Sequence, residues 1–216
     1  MKIAVTGGSG KAGRAVVGHL LEQGHDVLNV DRVPSAQSSG PDSPAPFIYA
    51  DLTDCGETVD ALGNAEKLHG IEAVVHLAAI PSPVHATPDL TFRTNVTSTH
   101  TVFSAAARLG FKRIVWASSE TTLGLPFDQP PDYAPVDEEH ELRHDYDNFP
   151  GYWDDPQLRK WNLWGYVDES HVAHSVSRAL EANVAGADSF IIAAGDIDKA
   201  RRVLGYAPEF TWRELF

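Results

Sequence analysis

The 216-residue chain contains one cysteine, Cys55. No disulfide can form within it, which fits a reducing, cytoplasmic setting. No apolar run approaches the roughly 20 residues that a bilayer-crossing helix needs, so no membrane partner is expected. The opening MKIAVTGG enters a strand pattern within two positions and carries no signal-peptide apolar core or cleavage site. Basic residues are scarce: 17 Lys and Arg stand against 30 Asp and Glu, a formal net charge of -13. Such a field repels phosphate backbones and anionic lipid, so nucleic acid is not an expected partner either. An ordinary acidic surface accounts for the charge, and a salt-adapted host would also. There is no internal repeat and no low-complexity tract. The length supports one domain with a real core, or one domain plus a small lobe.

Apolar periodicity supplies the architecture. KIAVT (2–6) reads as a short buried strand. A glycine-rich turn follows, then a helix with Val16, Val17, Leu20 and Leu21 on one face and Gly24 closing it. DVLNV (26–30) and FIYA (47–50) read as strands two and three, separated by a Pro/Ser/Gly loop over 33–46, with a weaker helix over 56–69. IEAVVHLAA (71–79) reads as an apolar fourth strand of the kind a parallel sheet buries on both faces. A long helix over 88–109 offers Phe92, Val96, Phe103 and Ala107 as core contacts, and KRIVWAS (112–118) is a fifth strand. Five strands alternating with helices predict an α/β fold, a Rossmann-type doubly wound parallel sheet. The pattern breaks after Gly124; it resumes as a helix over 167–182, a strand over 189–195 and a short helix over 198–205. The predicted organisation is a dinucleotide-binding core over 1–124 and, over 125–216, a reduced C-terminal substrate lobe with closing elements of the same domain.

TGGSGKAG (6–13) places glycines at 7, 10 and 13 between a strand and a helix. Gly7 permits the tight turn, Gly10 the approach of a pyrophosphate, and Gly13 close helix–sheet packing. Backbone N–H groups at the helix start then face the phosphates. Gly8, Ser9, Lys11 and Ala12 complete the candidate contacts. A phosphate loop ending in Gly-Lys-Ser/Thr does not fit, because Val5 and Ala12 occupy its other required positions. Asp31, 18 residues after Gly13, can accept from the adenosine ribose hydroxyls and repels a 2′-phosphate. This favours NAD over NADP, with Arg32 as a partial offset. Asp51 and Leu52 follow the third strand, where a polar side chain can meet an adenine amino group. Leu77, Ala78 and Ala79 end the fourth strand, where small residues let a cofactor lie flat.

These motifs, with Asn95 in RTNVTSTHTVFSAAARLG and with WASSETTLG (116–124), resemble the extended short-chain dehydrogenase/reductases in their NAD-dependent epimerase/dehydratase branch. The resemblance runs through 1–124 and returns in GYVDESHVAHSVSRALEA (165–182) and KARRVLGYAPEFTWREL (199–215). HLAAIPSP and ASSETTLG look most like members of the uronate dehydrogenase type. The resemblance implies a cofactor role for Asn95 and Ala117, and an active-site role for Ser119, whose hydroxyl would bond the reacting substrate oxygen. Ser118 is the alternative in register. It also implies a small sugar-type substrate and a homodimer built through helices flanking the fourth and fifth strands.

The family's acid/base is a tyrosine in Tyr-x-x-x-Lys. Its lysine lowers the phenol from an ordinary pKa of about 10 toward working range. Here Tyr133 is followed four on by Asp137, Tyr146 by Pro150, Tyr152 by Pro156, Tyr166 by Ser170 and Tyr206 by Phe210. Three explanations compete: segments missing from between the matched fragments, a short form that has lost the helix, or substitution through Tyr146 or Tyr152 with Lys160. His140 and His144 in EEHELRH could hold a metal on a helix, but a solvated acidic stretch is favoured and no metal is expected. His171 and His174 are explained by capping and surface placement. The tryptophans of 152–166 serve a substrate pocket, a dimer contact or a core, and Glu120 could touch a substrate hydroxyl. The expected function is NAD-dependent hydride transfer on a sugar, sugar-acid or nucleotide-sugar alcohol. The alternative is an NAD-binding sensor without catalysis.

Overall fold

A computed structural model of the chain describes residues 1–38, 43–63, 68–82, 84–119, 122, 139–140, 167–193 and 197–208. The chain divides into two compact units, Met1–Ala117 and Ser118–Phe216.

The first unit is built from β1 (Lys2–Thr6), α1 (Lys11–Glu22), β2 (Asp26–Asp31), β3 (Phe47–Tyr49), α2 (Cys55–Gly63), β4 (Ala73–His76), α3 (Pro88–Leu109) and β5 (Arg113–Trp116). The strands form one parallel sheet in the order β3-β2-β1-β4-β5. Ile3, Ala4, Val5, Val27, Leu28, Val30 and Ala73–Val75 are almost wholly buried. That is the requirement of a sheet covered on both faces. The chain steps outward from β1 through β2 to β3, then returns to place β4 on the other side of β1. The strand order therefore reverses between β1 and β4, and in open α/β sheets the crevice beyond the strands' C-terminal ends at such a point is where ligands bind.

α1 buries Val16, Val17 and Leu20 as its apolar period predicts, while Leu21 is half-buried. α3 begins at the Thr87 cap with Pro88 behind it and stops at Gly110, whose φ of 74° suits the left-handed helix exit. Its buried stripe differs from the sequence expectation. Ser98, Thr101, Val102, Ala105 and Ala106 face the core, whereas Phe92 is 68% and Val96 52% exposed, and Ala107 is also exposed. Phe103 is half-buried, edge-on to Trp116 with ring centroids 5.9 Å apart. Both stripes recur at helical period, so periodicity cannot choose between them. Small side chains at 98, 105 and 106 allow α3 to pack closely, and that decides the face. α2 is shorter than 56–69, and residues 64–67 lie outside the described set.

In the second unit, α4 (Glu169–Glu181) starts in a capping box. The Asp168 carboxylate accepts from the N–H groups of Ser170 at 2.9 Å and His171 at 3.0 Å. His171 caps as expected, but it is buried at 1% exposure rather than placed on the surface. α4 turns the apolar Ala173, Val176 and Leu180 inward. A π-helical turn, Ala200–Leu204, carries a small core of Ala193, Ile197, Ala200, Leu204 and Tyr206. Residues 189–193 are not a strand. Phe190, Ile191 and Ile192 pack by their side chains against that core, and no strand among the described residues of this unit offers them backbone partners. Glu120, His144, Tyr146, Lys160 and the tryptophans of 152–166 lie outside the described residues. Among the described residues, no helix is long and apolar enough to cross a membrane.

Candidate dinucleotide-binding site

The loops leaving β1 and β4 meet at the switch point. Gly7 has φ 74°, donates its N–H to the Val30 carbonyl at 2.9 Å and accepts from the Gly10 N–H at 3.0 Å. A Cβ on Gly7 would lie 2.5 Å from the Ala78 nitrogen and 2.8 Å from the Leu77 carbonyl carbon. The glycine turn thus lies directly on the backbone of the Leu77–Ala78 segment. A Cβ on Gly13 would lie 2.0 Å from the Gly7 oxygen, and one on Gly8 would lie 2.4 Å from Asn29 Oδ1. Gly10 differs, since its Cβ would meet only the Gly7 oxygen, at 3.2 Å. Three glycines are closed by protein backbone or side chain; the fourth is exposed.

Gly10 is the N-cap of α1, it makes no side-chain cap bond, and the first turn holds no acidic residue. This helix end has no cap side chain to compete for its N–H groups and no carboxylate to repel an anion. Lys11 is exposed and Ala12 half-buried beside it. Asp31 closes the other side: Oδ2 accepts from the Ser9 N–H at 3.1 Å and Oδ1 from the Arg32 N–H at 2.6 Å. Each carboxylate oxygen thus accepts from one backbone donor. Asp51 accepts from Thr53 through N–H at 3.0 Å and hydroxyl at 2.7 Å. These bonds, with a smaller contribution from the Arg32 charge, hold its carboxyl below the ordinary value. Leu52 is buried, and its carbonyl accepts from the Thr101 hydroxyl. Leu77 and Ala78 are half-buried and Ala79 is exposed.

Asn95 acts on the loop after β4. Its Oδ1 accepts from the Ile80 N–H at 2.8 Å and its Nδ2 donates to the Ile80 carbonyl at 3.1 Å. We expect Asn95→Ala to strand this half-buried peptide group. It should cost about 1–3 kcal/mol of stability in urea unfolding and weaken NAD binding with it. Ala117 extends β5, its N–H donating to the His76 carbonyl at 3.2 Å. Ser119 belongs to the second unit and is exposed; its carbonyl accepts from the Thr122 N–H at 3.1 Å and hydroxyl at 2.8 Å. Tyr49, on β3, has Thr53 four residues on, so it supplies no Tyr-x-x-x-Lys either. His140 is buried, and no group of His, Cys, Asp or Glu that could hold a metal ion occurs among the described residues.

Several supporting residues escape a reading of the sequence. Asn29 donates through Nδ2 to the hydroxyls of Ser9 at 3.0 Å and Ser38 at 2.7 Å, joining the glycine turn to the turn at Ala36–Ser38. His76 bonds Thr6 and Thr99. The available signal was a polar residue inside each apolar strand.

Strand order, glycine turn and acidic second-strand end together define a Rossmann-type dinucleotide-binding domain. The chain belongs to the NAD dependent epimerase/dehydratase family, whose model matches residues 3–150. An NAD-dependent glucose-6-phosphate dehydrogenase of Haloferax volcanii is 36% identical over 168 residues, which is 76% of this chain and 57% of that protein. A short-chain dehydrogenase/reductase superfamily protein from Agrobacterium tumefaciens, solved with bound NAD, is 31% identical with a TM-score of 0.55, over 76% of this chain and 44% of that one. A mutated uronate dehydrogenase shares the fold at TM-score 0.72 and 20% identity, over 99% of this chain and 84% of that one. The chain thus spans about half the length of the first two relatives.

Proposed function

We propose that this chain binds NAD across the C-terminal ends of β1 and β4 and serves hydride transfer on an alcohol of a sugar, sugar acid or nucleotide sugar. The observation that carries the reading is the glycine turn: closed by protein at Gly7, Gly8 and Gly13, open at Gly10, with an uncapped, acid-free helix start beside it. A pyrophosphate fits there, on the N–H groups of residues 10–13. The Asp31 carboxylate accepts from the adenosine ribose hydroxyls, Asp51 and Leu52 flank the base, and Leu77–Ala79 line the floor. When bound, NAD supplies a hydride acceptor. Ser119 holds the substrate hydroxyl. The sugar class is supported by the relatives, which include the Haloferax sugar-phosphate dehydrogenase and a UDP-glucose 4-epimerase of Corynebacterium glutamicum that is 31% identical over 64% of this chain.

Calorimetry with NAD and NADP, then NADH formation with uronic acids, aldoses, sugar phosphates and nucleotide sugars, tests the reading. If the chain binds no NAD(H), the reading is lost. Asp31→Ser removes both the ribose acceptor and the repulsion of a 2′-phosphate. NAD affinity should fall roughly 10- to 100-fold while NADP affinity rises, both read by calorimetry. A second reading, NAD binding without turnover, is favoured by one observation: no tyrosine in the 216 residues is followed four on by lysine. It predicts NAD binding with no NADH formed from any of these substrates.

A further inference from the structure

His76 is 1% exposed, at the C-terminal end of β4, with the Thr6 end of β1 as its register partner. Its Nδ1 lies 2.7 Å from the Thr6 hydroxyl and its Nε2 lies 3.2 Å from the Thr99 hydroxyl on α3. The residues that follow, Gly7 and Leu77, open the two loops that press together at the switch point. Asn95, one helical turn before Thr99, clamps Ile80, and Thr101 reaches Leu52. One helix therefore holds two cofactor-side loops directly, and a third, the glycine turn, through an imidazole. A neutral imidazole has one N–H and one lone pair on separate sides of a rigid ring, and threonine hydroxyls can donate or accept. The bridge is thus satisfied in either tautomer, and a phenylalanine would fill the space without making it.

We propose that His76 is a positioning residue of the dinucleotide site: by bridging Thr6 to Thr99 it sets the spacing between the glycine turn and the Leu77–Ala78 segment, and so governs affinity for the pyrophosphate half of the cofactor. This rests on the NAD reading above. It does not extend to the adenosine half, which is held by Asp31, Asp51 and Leu52 on the far side of β1.

The test compares NAD with adenosine, which carries no phosphate, both titrated by calorimetry into the full chain, for wild type, His76→Phe, His76→Gln, Thr99→Val and the His76→Phe/Thr99→Val double variant. Expected is an NAD affinity loss of about tenfold or more in His76→Phe and a smaller loss in Thr99→Val, with adenosine affinity unchanged. Gln, which keeps one donor and one acceptor, should recover part of the loss. The double variant should bind NAD no worse than His76→Phe, since both changes remove one bridge. NAD affinity within about twofold of wild type in folded His76→Phe overturns the proposal, as does parallel loss of adenosine, which marks general loosening. If His76→Phe does not fold, Thr99→Val decides by the same split. A wild-type chain that binds neither ligand fails the NAD reading itself, a result distinct from wild-type binding that the variants leave intact.

Discussion

Gly13→Ala should abolish detectable NAD binding and lower the melting temperature by roughly 5–10 °C. The new Cβ would sit 2.0 Å from the Gly7 oxygen, 2.7 Å from the Gly8 Cα and 2.8 Å from the Gly7 carbonyl carbon. All three are backbone atoms, so no side chain can rotate aside. Either α1 moves off the sheet or the glycine turn opens, at a cost of about 2–3 kcal/mol. Gly10→Ala is the control for what the turn is for. Its Cβ meets only the Gly7 oxygen, at 3.2 Å, on an exposed surface. It should shift the melting temperature by no more than about 2 °C and still weaken NAD binding about tenfold or more, because the methyl would occupy the approach proposed for the pyrophosphate. A Gly10→Ala chain that binds NAD like wild type would place the phosphates elsewhere. A Gly13→Ala chain as stable as wild type would contradict the packing of α1 on the turn.

Acid should destabilise the chain through His76 well before its carboxylates titrate. Burial lowers the His76 pKa from 6.5 to about 4, and the groups it bonds are hydroxyls. Between those two pH values the unfolded chain binds a proton on this residue that the folded chain does not. Stability therefore falls as pH falls through the window, by about 3 kcal/mol in all, and this residue adds no further slope below about 4. The Asp51 and Asp168 carboxyls are held below their ordinary value chiefly by the Thr53 and Ser170 hydroxyls. They act in the same direction, at lower pH. Urea unfolding at a series of pH values is the measurement. His76→Gln should be less stable than wild type near neutral pH but should lose most of the slope between about pH 6.5 and 4. Equal slopes in the two proteins would show that His76 is already charged in the folded state, or reaches water.

The two expectations trace to different parts of the chain's logic. The alternation of apolar strands with helices, the glycine spacing 7-10-13 and the acid at the end of β2 are local. Each depends on backbone geometry or side-chain period within about twenty residues, so each was legible as letters. The strand boundaries moved by a few residues, and β4 shortened to Ala73–His76. The inner face of α3 was not legible. Two stripes share the helical period, and the choice fell to the smaller side chains because α3 lies close against its neighbours. Residues 189–193 carry a strand's composition without a strand, since pairing needs a partner that their own unit does not supply among the described residues.

The site divides the same way. The order of residues along the chain was enough for the family and the sheet, and it offered candidate residues for a dinucleotide, because a phosphate asks for bare backbone and a ribose for a carboxylate. How that site is held emerged only in the packed fold. Asn95 spends its amide on the Ile80 peptide, Asn29 links the glycine turn to Ser38, and His76 spans Thr6 and Thr99 across 70 and 23 residues of chain. Such bonds join residues that only the packed sheet brings within 3 Å or so, and no period or spacing along the chain encodes them.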